Sequence, residues 1–447
     1  MSVEAPLSYG QLYSWREVET YPTQWLAEAN LPATCDLRGH SPQTVQRALA
    51  GLVRRHEALR TTFRLDDGVP TQRIEDRVDL PLVSVDRPVS GPADADRTTT
   101  ELLTAPFPMT GGLCWRGVLV CSGGTPVFLS LSFSHLIVDV WSVRELQAQF
   151  EALLRDPDSP SQLPDLSPRE LARREREQTA GRRQLAVQRY WQGVLADSRV
   201  PQLPTTPPRV TRPRIQATLH SHQLGGLAAS AAKRHGVTAP AVVLAMVVAG
   251  LAGHTGTDRV VISLMSSNRF LPEHRRVVST LNQLIPVVAD ADRACSLSEH
   301  ITRLNWASAK AYRHSSYDVD QVRTLAAADG SFNRLFPTWF NYLQLDDVPA
   351  DPRDPRPAVL EWTPTARPYG QPFDVRVTAR QGRTSVAMRV DPELISATAL
   401  VGMLRRLAFG VQEAVSSPET RVGDLLEVSP ASLPAALFPA SVPPPPQ

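Results

Sequence analysis

Apolar and small polar residues alternate along residues 127–133, as in a strand that buries one face. The nine residues that follow, SHLIVDVWS, place one histidine and one aspartate four positions apart. Ser142 and Glu145 then predict the N-cap and N3 positions of a helix with a capping box. Apolar residues continue beyond them at helical spacing. This pattern predicts that His135 lies in a strand-to-helix crossover, from which loop residues point into a cleft.

Other elements of the first half are predicted from local signals. Ser41-Pro42 predicts a helix that begins with a serine cap and a proline in its first turn. Asp67-Gly68 separates two strand-like runs and predicts a hairpin with a tight turn. Residues 168–191 are dense in arginine and glutamate, and they predict a charged helical connection between two lobes.

The second half is predicted to mix helices and strands again. Residues 239–253 form the longest apolar run, about 15 residues against the ~18 needed to span a bilayer, and they predict a buried core helix. Residues 396–415 predict an amphipathic helix, the proline-rich residues 349–372 predict a long loop, and residues 429–447 predict a disordered tail. Strands are expected at 258–264, 284–288, 336–343 and 384–390.

Composition narrows the class of protein only modestly. A chain of 447 residues is long enough for two or three hydrophobic cores. Its mixed elements predict an α/β protein with lobes at 1–175 and 176–428. The net charge of +2 gives no electrostatic reason to expect nucleic acid or a membrane as partner. Four cysteines without metal-site or disulfide spacing, and an N-terminus without signal-peptide features, predict a cytoplasmic protein.

The order of motifs over about residues 6–427 resembles that of the condensation domains of nonribosomal peptide synthetases, in the chloramphenicol acetyltransferase-like superfamily. The segment SHLIVDV resembles the signature HHxxxDG of these domains, except that Ser134 replaces its first histidine and Val140 replaces its glycine. The other matching segments are PLSYGQLY at 6–13, RHEALRTTF at 55–63, RYWQGVL at 189–195, TGTDRVV at 255–261, NR at 268–269, TLNQLIP at 280–286 and FNRLF to FNY at 332–342.

This resemblance implies a fold and a set of site residues. The fold would be a V-shaped pseudo-dimer of two chloramphenicol acetyltransferase-like lobes with a tunnel between them. His135 would lie at the reacting centre, and Asp139 would support its loop by pairing with Arg269. No metal or tightly bound cofactor is implied. The residues expected along the tunnel, some by motif position only, are Ser134, Val140, Trp141, Asn282, Tyr342 and Arg60, the last also as a support of the hairpin.

Some roles stay open at the level of the sequence. A histidine at the reacting centre takes a proton from the attacking group, or it only positions that group or stabilises the tetrahedral intermediate. Asp139 pairs with Arg269 or merely caps the following helix. Val140 implies either an ordinary backbone or a tunnel narrowed by two methyl groups. The hydroxyl of Ser134 bonds His135 or the helix N-terminus.

The function expected from the resemblance is that of a free-standing condensation enzyme. It would transfer an acyl or aminoacyl thioester, carried on the phosphopantetheine arm of a carrier protein acting in trans, to an amine and form an amide. The acceptor would be a second carrier or a small free amine. The alternatives are an ester-forming acyltransferase, a non-catalytic platform that recruits carrier protein or tailoring enzymes, and an unusual dehydration or cyclisation on a carrier-bound substrate.

Overall fold

The contacts within the chain divide it into two compact units. A computed structural model describes residues 2–89, 91–157, 166–177, 181–197, 203, 214–327, 336, 338–366, 371–427 and 433–445. Unit 1 comprises Met1–Leu185, Ser267–Gln283 and Ser316–Val319; unit 2 comprises Ala186–Ser266, Leu284–Ser315 and Asp320–Gln447. The units therefore differ from a single division at residue 175, because two segments from the second half of the sequence belong to unit 1.

Unit 1 contains two small sheets. The three-stranded antiparallel sheet has the order β1-β4-β3, and the four-stranded sheet has the order β2-β7-β6-β5. The strands are β1 (Val3–Pro6), β2 (Asn30–Asp36), β3 (Thr61–Asp66), β4 (Val69–Ile74), β5 (Leu82–Asp86), β6 (Trp115–Ser122) and β7 (Thr125–Ser134). The helices are α1 (Tyr9–Val18), α2 (Pro42–Arg55), α3 (Pro92–Leu103), α4 (Val140–Arg155) and α5 (Pro168–Glu177).

Local signals in unit 1 are confirmed where they were strongest. The hydroxyl of Ser41 accepts the amide of Thr44 at 3.1 Å and starts α2. Asp67 and Gly68 have φ of 50° and 79°, as the tight turn between β3 and β4 requires. The predicted strand ahead of His135 is β7, whose central side chains are buried on both faces. Large aromatic side chains fill the core beside it, among them Trp15, Trp115, Phe63, Phe133 and Phe150.

Unit 2 is built on one mixed sheet of seven strands in the order β10-β9-β11-β13-β14-β8-β12. The strands are β8 (Arg214–Ser221), β9 (Arg259–Ser266), β10 (Gln283–Asp290), β11 (Thr338–Gln344), β12 (Val359–Ala366), β13 (Phe373–Arg380) and β14 (Arg383–Val390). The remaining helices of the described residues are α6 (Arg182–Asp197), α7 (Leu224–His235), α8 (Ala239–Thr255), α9 (Leu297–Tyr312), α10 (Val319–Ala327), α11 (Ala397–Ser416) and α12 (Val422–Glu427).

The prediction of a buried helix at 239–253 is confirmed, since α8 is buried around almost its whole circumference. The prediction of a long loop at 349–372 is wrong in part, because β12 lies inside it and pairs antiparallel with β8. Pro364 falls where the register between these strands shifts. Because β12 is the edge strand of the sheet, a proline there removes no hydrogen bond from a central ladder.

The C-terminal segment 433–445 corrects the prediction of a disordered tail. Leu437 and Phe438 are buried in unit 2, and the guanidinium of Arg405 lies 4.9 Å from the centre of the Phe438 ring. The indole of Trp362 donates to the carbonyl of Pro443 at 2.9 Å. The burial of Leu437 and Phe438 and the hydrogen bond from Trp362 to Pro443 thus order a segment whose composition alone is typical of disorder. Residues 429–432 and 446–447 of the predicted tail lie outside the described residues.

In the described part of the chain, no group of three His, Cys, Asp or Glu side chains is placed to hold a metal ion. The four cysteines are free and buried. No single described helix is both long enough and apolar enough to cross a membrane. Helices α7 and α8 meet these two criteria only when taken together, and that pair is bent by 101°.

Candidate active site

His135 directly follows β7, at the start of the predicted crossover. Its amide donates to the carbonyl of Ala29 at 2.7 Å, and its carbonyl accepts the hydroxyl of Ser14 at 3.4 Å. The imidazole is half-buried, and its Nδ1 lies 3.3 Å from the hydroxyl of Thr280. The backbone of His135 is therefore fixed from two sides, while the residue as a whole stays partly exposed.

Ser134 serves the turn that carries His135. Its hydroxyl accepts the amide of Leu136 at 3.3 Å, and the residue is buried. This is a side-chain turn of the kind that serine commonly makes. The recorded partner of the hydroxyl is thus neither of the two that the sequence suggested, the imidazole or the helix N-terminus.

The predicted capping box at Ser142 is wrong by three residues. Helix α4 begins at Val140, and Asp139 is its N-cap: Oδ1 accepts the amide of Ser142 at 2.8 Å. A carboxylate at this position satisfies a free amide of the first turn and interacts favourably with the helix dipole. Ser142 consequently occupies the first turn of the helix, and its hydroxyl is free to bond elsewhere.

Asp139 also makes the ion pair that the resemblance implied. Nη2 of Arg269 lies 2.8 Å from both carboxylate oxygens, and only 4% of the Asp139 side chain and 7% of the Arg269 side chain are exposed. Oδ2 accepts the amide of Leu281 at 3.2 Å as well. The two roles that the sequence left open, capping and pairing, therefore occur together.

A serine pair, missed by the sequence analysis, completes this junction. The hydroxyl of Ser142 donates to the carbonyl of Ser279 at 2.6 Å and accepts the amide of Ser279 at 3.0 Å. Nη2 of Arg269 donates to the same hydroxyl at 2.8 Å. Nη1 of Arg269 bonds the carbonyls of His274 and Val277 at 2.9 and 2.8 Å. The sequence did mark Ser142, but only as a cap, and Ser279 carried no signal.

Helix α1 supports the loop at Thr280 from the other side. A Cβ added to Gly10 would lie 2.4 Å from the carbonyl oxygen of Thr280 and 2.7 Å from Cα of Leu281. Both distances are shorter than real Cβ contacts, so the close approach requires glycine. The side chain of Asn268, whose φ is 52°, donates to the carbonyl of Leu281 at 2.8 Å. Residues 279–281 are thus held by the side chains of Ser142 and Asn268 and by the close contact with the backbone of Gly10.

A second line of contacts ties α4 to the same segment. Nη2 of Arg276 lies 2.8 Å from the carboxylate of Glu145, and Nε2 of the Gln149 side chain donates to the same carboxylate at 2.6 Å. The Gln149 side chain lies 2.9 Å from Nε2 of His56, and burial lowers the pKa of His56. The motif around residue 56 therefore contributes to the structural support of α4.

Comparison with known proteins decides the family. A family model for the condensation domain matches residues 1–433. The chain belongs to the condensation-domain family. Condensation domains are acyltransferases that act with carrier protein domains in synthetases, and they form amide or ester bonds.

The sequence relatives of this condensation domain are large synthetases, and the similarity covers one segment of each. It is 28% identical over 305 residues to the beauvericin nonribosomal cyclodepsipeptide synthetase of Beauveria bassiana, covering 65% of this chain and 9% of the relative. It is 26% identical over 425 residues to the chondramide synthase cmdD of Chondromyces crocatus, covering 89% of this chain and 10% of the relative. The chain thus spans about a tenth of the length of these relatives.

Solved structures share the fold of this condensation domain. The condensation domain of the monacolin K polyketide synthase MokA has a TM-score of 0.75 at 17% identity, over 94% of this chain and 99% of that one. The condensation domain that mediates chain release from the enacyloxin polyketide synthase has a TM-score of 0.74 at 20% identity, over 97% and 84%. The X-domain of teicoplanin biosynthesis, in complex with OxyB, has a TM-score of 0.72 at 20% identity, over 95% and 96%.

The other residues that the motifs suggested for this condensation domain lie in varied surroundings. Val140 is the first residue of α4 and has no positive φ, so its backbone is the ordinary one of the two alternatives. Trp141 is half-buried, with the guanidinium of Arg144 5.6 Å from the centre of its ring. Asn282 is half-buried and accepts the hydroxyl of Thr280 at 2.9 Å.

Arg60 and Tyr342 belong to elements other than the loop that carries His135. The guanidinium of Arg60 donates to the carbonyls of Val53 and Glu75, and so ties the end of α2 to the hairpin. This is the supporting role that was expected for it. Tyr342 belongs to unit 2, on β11, where burial raises the pKa of its hydroxyl.

Proposed function

We propose that this condensation domain catalyses amide formation from a carrier-bound acyl or aminoacyl thioester and an acceptor amine. The observation that carries the proposal is the contrast between two neighbouring side chains. Asp139 has both oxygens occupied in a buried network, whereas His135, four residues earlier, is a partly exposed residue on a backbone held from two sides. A fixed loop that carries one partly exposed histidine is what proton transfer to a reacting group requires.

The proposed reaction exchanges a carbon–sulfur bond for a carbon–nitrogen bond. The amine nitrogen attacks the thioester carbonyl carbon, and the tetrahedral intermediate collapses with release of the phosphopantetheine thiolate. The proton lost by the amine passes to the imidazole of His135 and from there to the thiolate, so that the products are an amide and a thiol. The phosphopantetheine arm comes with the carrier protein acting in trans, and no bound metal or cofactor takes part.

The two altered signature positions, Ser134 and Val140, are compatible with this activity. The recorded partner of Ser134 is the amide of Leu136, and Val140 adopts an ordinary helical backbone. The hydroxyl of Ser134 therefore bonds the backbone and not the imidazole of His135, and the side chain of Val140 has no hydrogen-bonding group. The loop that carries His135 is instead held by Ala29, Ser14 and the network at Asp139.

Two alternatives remain proposals of their own. A hydroxyl acceptor would give an ester by the same proton transfer. A non-catalytic platform is suggested by the loss of the first signature histidine, together with the similarity to the X-domain that binds OxyB. In either case the partner would still be a carrier protein or an enzyme that acts on carrier-bound substrate.

The test compares wild type with His135→Ala and, as a matched control, His220→Ala. His220 is also a half-buried histidine that bonds a hydroxyl, but it lies on β8 of unit 2 and bonds Ser385. Each protein is mixed with an acyl-loaded carrier protein and a panel of amines and alcohols. Mass spectrometry follows carrier unloading and product.

The expected result is amide formation by wild type and His220→Ala, with a loss of at least ~10²-fold in His135→Ala. Product only with alcohols would replace the amide proposal by the ester alternative. Binding of the carrier without turnover by wild type would overturn the enzyme proposal in favour of the platform.

A further inference from the structure

The hydroxyl of Thr280 links the imidazole of His135 to the amide of Asn282. Thr280 Oγ1 lies 3.3 Å from Nδ1 of His135 and donates its proton to Oδ1 of Asn282 at 2.9 Å. A hydroxyl has one proton and two lone pairs. Since that proton is used toward Asn282, the hydroxyl faces the imidazole as an acceptor.

This arrangement bears on the protonation state of the ring. A neutral imidazole carries its proton on one nitrogen, and the hydrogen bond made by one nitrogen decides the state of the other. We propose that Thr280 and Asn282 hold His135 in the tautomer protonated at Nδ1, which leaves Nε2 as the nitrogen that accepts a proton. Thr280 and Asn282 are then positioning residues for His135, and their catalytic meaning rests on the function proposed above.

The hydroxyl of Thr280, which links His135 to Asn282, belongs to a segment that is anchored on both sides. Thr280 is fully buried, and the residues on each side of it are anchored: Ser279 by Ser142 and Leu281 by Asp139. The close approach of Gly10 confines the backbone of Thr280 itself. Because the chain on both sides is held, the hydroxyl stays within bonding distance of Nδ1 without depending on the substrate.

The partial exposure of His135 is consistent with this assignment. Nδ1 lies against the hydroxyl of the buried Thr280, while His135 as a residue is only half-buried. The nitrogen left for a reacting group is therefore Nε2. One net hydrogen bond corresponds to a change of about 3- to 10-fold in the ratio of two tautomers.

The experiment is ¹⁵N NMR of the full chain with labelled histidine, read through two-bond correlations between the ring protons and the ring nitrogens. The signals of His135 are identified by their loss in His135→Ala. Wild type is compared with Thr280→Val, which keeps the shape of the side chain but removes the hydroxyl. Thr280→Ser is the matched control, since it restores the hydroxyl.

Wild type and Thr280→Ser are expected to show Nδ1 protonated and Nε2 unprotonated. Thr280→Val should move the ratio about 3- to 10-fold toward the form protonated at Nε2. Asn282→Ala should move it in the same direction, because the freed proton of Thr280 then points at Nδ1. A wild type protonated mainly at Nε2, or a ratio that Thr280→Val leaves unchanged, would overturn the inference.

Turnover separates this inference from the proposed function. Thr280→Val should lower kcat about 3- to 10-fold, in step with the tautomer ratio, and leave KM unchanged. The expected tautomer in a wild type that forms no product would leave the inference standing and refute the proposed function. Turnover by a wild type protonated mainly at Nε2 would refute the inference alone.

Discussion

Two of the buried aspartate–arginine pairs among the described residues have almost identical exposure but different structural roles. Asp374 and Arg389 in unit 2 are 5% and 7% exposed, and they lie opposite each other on the neighbouring strands β13 and β14. Asp139 and Arg269 in unit 1 are 4% and 7% exposed, and they join segments 130 residues apart in the sequence. Only the first pair lies between two strands that a backbone ladder already connects.

The difference shows what a buried ion pair contributes. Desolvation cancels most of the attraction between two buried charges, so neither pair adds much net stability. The ladder between β13 and β14 would keep those strands in place without the charges. In unit 1, α4 and the segment at 277–281 are joined by side-chain bonds of Asp139, Arg269 and Ser142. The value of the unit 1 pair therefore lies in the position it gives to the loop of His135.

The largest effect is expected for Asp139→Asn. Asparagine still caps α4, so the substitution removes mainly the charge opposite Arg269. An uncompensated buried arginine should lower the free energy of unfolding by about 3–5 kcal/mol. The displaced loop should lower turnover per folded molecule by about 10²-fold. Urea unfolding and carrier unloading measure the two quantities, and full turnover in a destabilised variant would contradict the positional role.

The matched substitution in unit 2, Asp374→Asn, should separate the two effects. It leaves Arg389 without its countercharge and should cost about 3–5 kcal/mol in the free energy of unfolding. Turnover per folded molecule should stay at the wild-type value, because the backbone ladder still holds β13 against β14. If both variants lost activity equally, the contrast between the two pairs would be wrong.

Glu175 extends the comparison to a buried carboxyl in a different setting. Its Oε2 accepts the amide of Tyr9 at 2.7 Å, and burial raises its pKa to about 7. Between the usual glutamate pKa and about pH 7, the folded protein keeps a proton that the unfolded chain has lost. The contribution of Glu175 to stability is therefore full at low pH and is lost as the pH rises through about 7, by up to about 3 kcal/mol.

The measurement for Glu175 is the urea midpoint at about pH 5, 6 and 8 for wild type and Glu175→Gln. Glutamine keeps an oxygen for the amide of Tyr9 but does not titrate. The urea midpoint of wild type relative to that of Glu175→Gln should fall as the pH rises from about 5 to about 8. A constant difference over this range would show that the carboxyl of Glu175 keeps its ordinary pKa.

Gly10→Ala should lower the free energy of unfolding less than Asp139→Asn and Asp374→Asn do. The added Cβ meets the backbone of Thr280 and Leu281, and overpacking of this kind costs about 1–3 kcal/mol. Gly193→Ala is the control, because a Cβ at that helical position in α6 meets nothing within 4 Å. There alanine should raise stability by about 0.5–1 kcal/mol. Thermal unfolding measures both, and equal effects would contradict the close approach at Gly10.

Prediction from the sequence succeeded where the determining contacts are local. The cap at Ser41 and the turn at Asp67-Gly68 depend on groups within three or four residues of each other. The crossover at His135 and the buried helix α8 follow from periodicity within a single element. Where two local signals competed, the choice needed the rest of the fold: the cap is Asp139 rather than Ser142, whose hydroxyl bonds Ser279 instead.

The sequence by itself determined the residue types, the local elements and, through the order of motifs, the family and the pairing partner of Asp139. Only the tertiary structure decided which backbone groups these side chains hold, the role of Gly10 and the setting of Thr280 beside His135. It also decided that β12 is an edge strand and that Leu437 and Phe438 are buried within unit 2. The physical reason is the same in each case: these contacts join residues far apart in sequence, where no local propensity or periodicity records which groups will meet.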